Sequence, residues 1–155
     1  MKVEIERQVA AEVTGWVPSV AELTQWVSVV AEHRQEPLWV TVRMVGASES
    51  QQLNATYRGK DQPTNVLSFA FEPPPGFDPT EPYIGDLVIC AEVVSAEAET
   101  QGKIPAHHWA HLVIHGTLHL LGYDHEVPDA AAQMEALETN HLARLNINNP
   151  YETAQ

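Results

Sequence analysis

Three histidines lie within the segment HGTLHLLGYDH, at positions 115, 119 and 125. His115 and His119 are four residues apart, so a helix places both imidazoles on one face. Gly122 tolerates positive φ and is suited to end that helix, after which the chain turns back and brings His125 to the pair. Three imidazoles leave a tetrahedral ion one open position, which is typical of catalytic zinc. The spacing therefore predicts a zinc site formed by His115, His119 and His125, although nickel or another divalent ion also suits imidazole ligands.

A zinc ion held in this way would lower the pKa of its bound water to roughly 7 and supply hydroxide at neutral pH. The predicted chemistry is therefore metal-dependent hydrolysis. His111 lies one turn before His115. It either orients the site through a hydrogen bond or is simply a packed or exposed histidine.

The histidines and Gly122 also match the frame of the metzincin proteases, H-E-x-x-H-x-x-G-x-x-H. Position 116 is glycine, whereas those proteases carry there the glutamate that acts as general base. A metzincin-like protease would need its base from elsewhere. Asp124 lies next to His125, but a turn or supporting role suits it better than the role of a base. A metalloprotease lacking the usual glutamate is therefore an alternative that the sequence disfavours.

The composition predicts one globular domain over residues 1–155, long enough to bury a sizeable core. The start, MKVEIERQVA, has no apolar signal-peptide core, and no apolar stretch is long enough to span a bilayer. Cys90 is the only cysteine and reads as a buried strand residue, which fits a reducing cytoplasm. The net charge of −13 repels nucleic acid at long range, so binding it would need a local basic site or a basic partner.

Hydrophobic periodicity predicts the order β-α-β-α-β-β-α-α-α, an α+β fold in which helices pack on one mixed sheet. Ser19 and Ser48 are predicted to cap the first two helices, and Gly59 to end the second. The segment IGDLVICAEVV is predicted as a central strand, with a helix from residue 93. The long helix of residues 106–121, which carries the first two histidines, is predicted to cross the core.

Three segments together resemble the YbeY family of bacterial endoribonucleases, which serve as ribosomal RNA maturation factors. HGTLHLLGYDH is similar to the family signature, and LNATYRGKDQPTNVLSFAFE resembles its Y-R-x-K-D-x-x-T-(N/D)-V-L-S-F segment. IGDLVIC resembles its strand that opens with Gly-Asp. The resemblance runs from about Leu53 to about Leu145, with Ala70 where many members have proline. It implies a fold related to the zincins and one metal ion, with His115, His119 and His125 as ligands and Arg58 as the functional arginine.

The run YRGKD contains two of the eight lysines and arginines of the chain. Arg58 presents a planar fork of donors that suits a phosphate, and it could stabilise charge that builds on a scissile phosphodiester. Without the resemblance, a helix C-terminal cation explains Arg58 about as well. Lys60 either contacts the RNA backbone or is a solvated lysine. Three further side chains either donate hydrogen bonds to bound RNA or form a turn and the following strand: Thr64, Asn65 and Ser68. Asp86, which follows Gly85 and opens a strand, is either functional, a partner contact or a turn residue, and the turn role is the simplest interpretation.

The sequence therefore predicts a cytoplasmic, metal-dependent, single-strand-specific endoribonuclease. The resemblance implies action in ribosomal RNA maturation, including 16S 3′ end processing, and in ribosome assembly and quality control. It also implies ribosomal proteins and an assembly GTPase as partners. The non-enzymatic alternative is a ribosome assembly factor whose metal is structural, against which the three-ligand set argues mildly. The general base, and the choice between water and a ribose 2′-hydroxyl as nucleophile, stay open.

Overall fold

The computed structural model of the chain describes residues 3–32, 37–73, 76, 82–123 and 127–151. In these ranges the elements follow one another in the predicted order. Their bounds are β1 (Val3–Val9), α1 (Val20–Ala31), β2 (Leu38–Val45), α2 (Ala47–Arg58), β3 (Val66–Ala70), β4 (Tyr83–Cys90), α3 (Ala91–Gln101), α4 (Pro105–Leu120) and α5 (Pro128–Arg144). Among the described helices, none has both the length and the apolarity needed to cross a lipid bilayer.

The described strands form one sheet in the order β1-β2-β4-β3. β1 runs parallel to β2, and β2 runs parallel to β4, whereas β3 pairs antiparallel to β4 at the edge. The predicted mixed sheet of an α+β fold is therefore confirmed. Helix α4 contacts both strands of this antiparallel pair, β3 and β4.

The main core lies on one face of the sheet. Val40 and Val42 alternate along β2 with more polar side chains and are fully buried, as expected where helices cover one face of a strand. They belong to a cluster that includes apolar side chains of α1, α4 and α5. A smaller cluster on the other face, which includes Leu53 of α2, contains Cys90, buried as predicted. The hydrophobic effect thus fixes helices on both faces of the sheet.

The first two helices begin in different ways. Ser19 caps α1, because its hydroxyl accepts from the Glu22 backbone N–H at 3.2 Å and the Glu22 carboxylate accepts from the Ser19 N–H at 3.0 Å. This reciprocal pair confirms the predicted cap. The prediction of Ser48 as a cap is wrong: α2 begins at Ala47 after Gly46. The backbone N–H of Ala47 donates instead to the carboxylate of Glu92 on α3, at 3.4 Å.

The prediction that AEVV continues the central strand is also wrong, since α3 begins at Ala91 directly after β4. At this level of the sheet β2 ends and the antiparallel strand β3 begins, so neither neighbour of β4 extends further. Val45, the last residue of β2, pairs with Cys90, and the Cys90 N–H donates to the Asn65 carbonyl just before β3 at 2.9 Å. A longer strand would leave its backbone groups without a ladder partner. The helix instead buries Val94 against the core.

Helix α4 approaches the sheet closely at Gly116. A Cβ placed on this residue would lie 2.7 Å from Leu87 Cδ2 on β4 and 3.2 Å from Ser68 Oγ on β3. Carbon atoms prefer separations of about 3.5–4.0 Å, so a side chain at position 116 would force the buried side chain of Leu87, or the helix itself, to shift. The absence of a side chain at Gly116 therefore allows the helix that carries His115 and His119 to lie this close to the sheet.

We expect Gly116→Ala to destabilise the protein by about 1–2 kcal/mol. Overpacking a core costs about 1–3 kcal/mol, and the better helix propensity of alanine offsets up to about 1 kcal/mol of that. Urea unfolding measures the free energy. The double variant Gly116→Ala/Leu87→Val should lose less than the two single variants combined, because the shorter side chain makes room. A Gly116→Ala protein as stable as the wild type would contradict this account of the contact.

Candidate functional site

Two of the histidines of α4, His115 and His119, face each other across one turn of the helix. His115 Nε2 and His119 Nε2 lie 3.2 Å apart. Their rings meet edge to face, with centroids 4.6 Å apart and an interplanar angle of 83°. The four-residue spacing therefore does what the sequence predicted for these two residues: it makes one nitrogen of each ring converge on the same point.

The opposite nitrogen of each ring faces an acceptor. His115 Nδ1 lies 3.1 Å from a carboxylate oxygen of Glu138 on α5, and His119 Nδ1 lies 3.0 Å from the Tyr123 carbonyl oxygen. An ionised carboxylate and a carbonyl only accept, so both Nδ1 atoms carry the ring proton. In the neutral rings the two Nε2 atoms then present lone pairs to each other.

The turn after α4 positions the acceptor of His119. α4 ends at Leu120, and Gly122 follows with a φ of 101°, in the left-handed region that glycine adopts without strain. The Tyr123 N–H then donates back to the Leu118 carbonyl at 3.1 Å. The prediction that Gly122 ends the helix is confirmed, and the same turn aims the Tyr123 carbonyl at the His119 ring.

Glu138 supports the other ring. Its side chain is 1% exposed, and it accepts hydrogen bonds from His111 Nε2 at 2.6 Å, His115 Nδ1 at 3.1 Å and the Tyr151 hydroxyl at 2.7 Å. Burial acts to raise the pKa of this carboxyl, but the hydrogen bonds from His111, His115 and Tyr151 outweigh it and lower the pKa to about 2. Glu138 is therefore ionised at neutral pH, as an acceptor for three donors must be.

Sequence reasoning missed Glu138 and Tyr151. A signal for Glu138 exists, because it lies four residues after Met134 and four before Leu142, both fully buried on α5. A carboxylate on the buried stripe of a helix requires partners of its own. Tyr151 lies beyond the end of α5 and follows no periodic pattern, so it gave no such signal. Burial, followed by its hydrogen bond to Glu138, raises the pKa of Tyr151 and keeps its hydroxyl a donor.

The histidine pair has the geometry of two zinc ligands. Nitrogens about 2.0–2.1 Å from a tetrahedral zinc ion lie about 3.3–3.4 Å from each other, and the two Nε2 atoms here are 3.2 Å apart. Metal-binding histidines usually donate their other N–H to a carboxylate or carbonyl, as both rings do here. The residues thus fit a divalent ion.

His125, the third predicted ligand, lies outside the described residues, as does Asp124, for which a turn or supporting role is predicted. Within the described ranges, no three or more side chains of His, Cys, Asp or Glu form a group that could hold a metal. The third ligand therefore stays a prediction.

A cleft of about 740 Å³ opens beside the pair and is bounded by α4, β3 and the end of α2. It brings together most of the residues that the sequence singled out: Arg58, Thr64, Asn65, Ser68, His111, His115 and His119. Lys60 is exposed, but in the described part of the chain it is not among the residues that line this cleft. Residues from segments 58–68 and 111–119, which are far apart in the sequence, thus line the same cleft.

Arg58 supplies the fixed positive charge of the cleft. It lies exposed in the last turn of α2, which ends as predicted before Gly59. Among the described residues that line the cleft, it is the only lysine or arginine. Its position at a helix C-terminus is also favourable for a cation, so the two interpretations of Arg58 are compatible in space.

The three predicted hydrogen-bond donors differ in how far the fold already uses them. The Asn65 amide is committed at both ends: Nδ2 donates to the Glu97 carboxylate at 3.1 Å, and Oδ1 accepts from the Val66 N–H at 2.6 Å. The Ser68 hydroxyl donates to the Gly116 carbonyl at 3.4 Å. For Thr64, the backbone bonds to Ser50, with its N–H donating at 2.9 Å and its carbonyl accepting at 3.0 Å. Asn65 therefore acts first in holding the start of β3.

His111 and Asp86 lie in different environments. His111 lines the cleft and shares the carboxylate of Glu138 with His115. Asp86 lies within strand β4, so the prediction of a turn role is wrong; it accepts from the Tyr83 hydroxyl and lines a separate, smaller cavity, together with Thr41 and Arg43. His111 thus contacts the group that orients His115, whereas in the described part of the chain Asp86 does not line the cleft.

Comparison with known proteins identifies the family. The model of the endoribonuclease YbeY family matches residues 4–146. The chain belongs to the YbeY family. A protein named endoribonuclease YbeY from Alkalilimnicola ehrlichii is 59% identical over 115 residues, which are 74% of this chain and 69% of that protein. The family match confirms both the resemblance and the prediction of a nuclease.

A solved structure agrees with the fold. The solution structure of TM1509 from Thermotoga maritima has a TM-score of 0.54 and 21% sequence identity, and the match covers 97% of this chain and 99% of that chain. At this identity the likeness concerns the arrangement of the elements alone.

The hydrogen-bond partners predict the tautomers of the three histidines. After removal of metal, at a pH where the rings are neutral, His115 and His119 should carry the proton on Nδ1, because Nδ1 faces the acceptor in both. His111 should carry it on Nε2, because that atom faces Glu138. Long-range 1H–15N correlation spectra distinguish the two forms, and His111 is the internal control. An Nε2–H tautomer in His115 or His119 would show that the two lone pairs do not converge.

Proposed function

We propose that this member of the YbeY family is a zinc-dependent endoribonuclease that cuts single-stranded RNA in ribosomal RNA maturation, including 16S 3′ end processing. Ribosome assembly and ribosome quality control belong to the same proposal, and since that RNA is matured in the cytoplasm, so does a cytoplasmic location. With a net charge of −13, the protein gains from basic ribosomal proteins, or from an assembly GTPase, that bring it to its substrate.

One observation supports this proposal above the others: the converging histidine pair and the exposed Arg58 line one cleft. A phosphodiester needs a polarising centre and a cation for its oxygens, and the cleft offers candidates for both. The volume of the cleft, about 740 Å³, is also within the range of ligand-binding clefts. Gly116 counts further against the protease alternative, because a side chain there would come too close to Leu87 and Ser68.

The proposed roles follow from the chemistry of each side chain. When bound, the ion would activate water and polarise a phosphate oxygen. His115 and His119 would hold it through Nε2, with His125 as the third ligand. Glu138 and the Tyr123 carbonyl fix the ring orientations. Arg58 binds the non-bridging oxygens through its planar fork and stabilises the charge that develops on them.

The deciding experiment compares His119→Ala with His107→Ala. His107 lies on the same helix but lines a different cavity, so its loss tests the same change of residue away from the site. We expect purified wild type and His107→Ala to contain zinc and to cut single-stranded RNA, and chelator to abolish cutting. His119→Ala should lose zinc and cutting together, because one of the two converging nitrogens is gone.

Cutting that is equal in His119→Ala would contradict the proposal and indicate a contaminating nuclease. Zinc-loaded wild type that cuts neither free RNA nor RNA in ribosomal particles would favour the assembly factor with a structural metal. Chelator-sensitive cleavage of peptides would favour the protease.

Replacing Arg58 by lysine separates its two interpretations. Lysine keeps the charge at the end of α2 but loses the fork of donors that binds a phosphate at two points. If Arg58 holds the scissile phosphate, Arg58→Lys should lower kcat/KM by about 10²-fold or more, comparable to the loss of one donor to a developing oxyanion. Arg144→Lys, in the last turn of α5, is the matched control and should leave kcat/KM unchanged. Full activity in Arg58→Lys would leave only the helix-dipole role.

A further inference from the structure

Tyr57 is a large aromatic residue that the fold leaves exposed. It precedes Arg58 at the end of α2, is 64% exposed, and lines the cleft with Arg58 and the histidine pair. The main core and the smaller cluster under α2 are both formed without it. An exposed aromatic ring on a protein surface is common and needs no function by itself. Its place in the cleft wall, beside the fixed positive charge, is what requires an explanation.

The ring of Tyr57 is held in place by Phe69 on β3. The two centroids are 5.1 Å apart and the planes meet at 71°, the edge-to-face arrangement that aromatic pairs prefer. Phe69 lines the same cleft and also packs against the cluster of Cys90 and Leu67. Tyr57 is thus oriented before anything binds, while most of its surface stays open. A rigid, exposed ring costs little conformational entropy when a ligand covers it.

The other exposed aromatic residue in the described part of the cleft already contacts the side chains that support the histidines. Tyr151 is 46% exposed, but its hydroxyl donates to Glu138 and its ring meets His111 edge to face, with centroids 5.5 Å apart. It therefore belongs to the support of the histidines. Tyr57 is the aromatic residue in the described part of the cleft whose contact with Phe69 leaves it open to a ligand.

The charge of the cleft indicates which ligand suits this ring. Apart from the proposed ion, a single arginine among the described lining residues, on a protein of net charge −13, gives little electrostatic attraction for a polyanion. Binding of single-stranded nucleic acid at such a site needs base stacking, which contributes through the flat face of any base. A duplex keeps its bases stacked on each other and offers no free face to Tyr57.

We propose that Tyr57, supported by Phe69, is a stacking platform for one base of a single-stranded RNA whose adjacent phosphate is held by Arg58. This inference rests on the proposed function, which it deepens by naming the part of the substrate that each side of the cleft contacts. It also gives a physical cause for single-strand specificity, since the platform binds bases only when they are unpaired.

The test uses equilibrium binding of a short single-stranded RNA in which one base at a time is replaced by 2-aminopurine, whose fluorescence falls on stacking. Wild type should quench it at one position. Tyr57→Ala should abolish that quenching and raise Kd by about 5- to 150-fold, the range for the loss of one base–aromatic stack. Tyr57→Phe should stay within about twofold of wild type, because the ring remains. Trp16→Ala is the control for loss of an exposed aromatic outside the cleft.

An abasic RNA sharpens the result. Removing the quenched base should weaken binding by wild type but add nothing to the loss in Tyr57→Ala, because residue and base form one contact. Duplex RNA should bind wild type and Tyr57→Ala equally. Thermal unfolding of the variants checks that the fold is intact.

Several outcomes would overturn the inference: Tyr57→Ala binding as tightly as wild type, equal losses for the abasic RNA in both proteins, or no binding of single-stranded RNA by wild type. The first of these would leave the exposed ring to a protein partner. Cleavage is measured separately, so the two proposals fail separately. If RNA is cut normally and Tyr57→Ala binds it as tightly as wild type, only the stacking platform is contradicted. If binding depends on Tyr57 but no RNA is cut, only the nuclease proposal is contradicted.

Discussion

The buried carboxylate of Glu138 is the interaction on which the rest of the candidate site depends. An ionised side chain that is 1% exposed loses hydration worth several kcal/mol, and donors in good geometry must replace it. Glu138 receives hydrogen bonds from two histidines of α4 and from Tyr151 beyond α5. The Glu138 carboxylate therefore both orients the ring of His115 and helps to hold α5 against α4. A change that separates α5 from α4 would therefore also remove the hydrogen bond that orients the His115 ring.

Local periodicity explains why the sequence could predict the elements and the histidine pair. The four-residue spacing of His115 and His119 specifies one face of a helix whatever surrounds it, and Gly122 ends that helix through its own backbone freedom. Contacts across the chain have no such local mark. The carboxylate that accepts a hydrogen bond from the first backbone N–H of α2 comes from Glu92 on α3. The local sequence around Ser48 contains no sign of this contact, and the prediction of Ser48 as the cap is wrong for that reason. Glu138 was missed for the same physical reason.

Asn65 shows the limit of predicting function from residue type. Its amide suits RNA as well as it suits a turn, and the sequence could not choose between them. In the fold, Glu97 accepts from both the Asn65 amide and His108 Nε2, at 3.1 and 2.9 Å. Burial lowers the pKa of His108, which favours a neutral ring. The start of β3, and with it one wall of the cleft, is therefore tied to α3 and α4 through a network that only the tertiary structure assembles.

An acidic protein can still act on RNA if its affinity does not come mainly from charge. At physiological ionic strength, charges more than about 8 Å apart are largely screened in solvent, so Arg58 controls the field inside the cleft while the acidic surface acts mainly on approach. Few counterions are released when a strand meets one arginine. Under the proposed function, the binding energy would then come from the rigid aromatic ring beside it, from the proposed ion at the histidines, or from a basic partner that delivers the strand. If Tyr57 and Arg58 act as proposed, such a cleft would discriminate by the accessibility of bases, because the ring stacks only on an unpaired base.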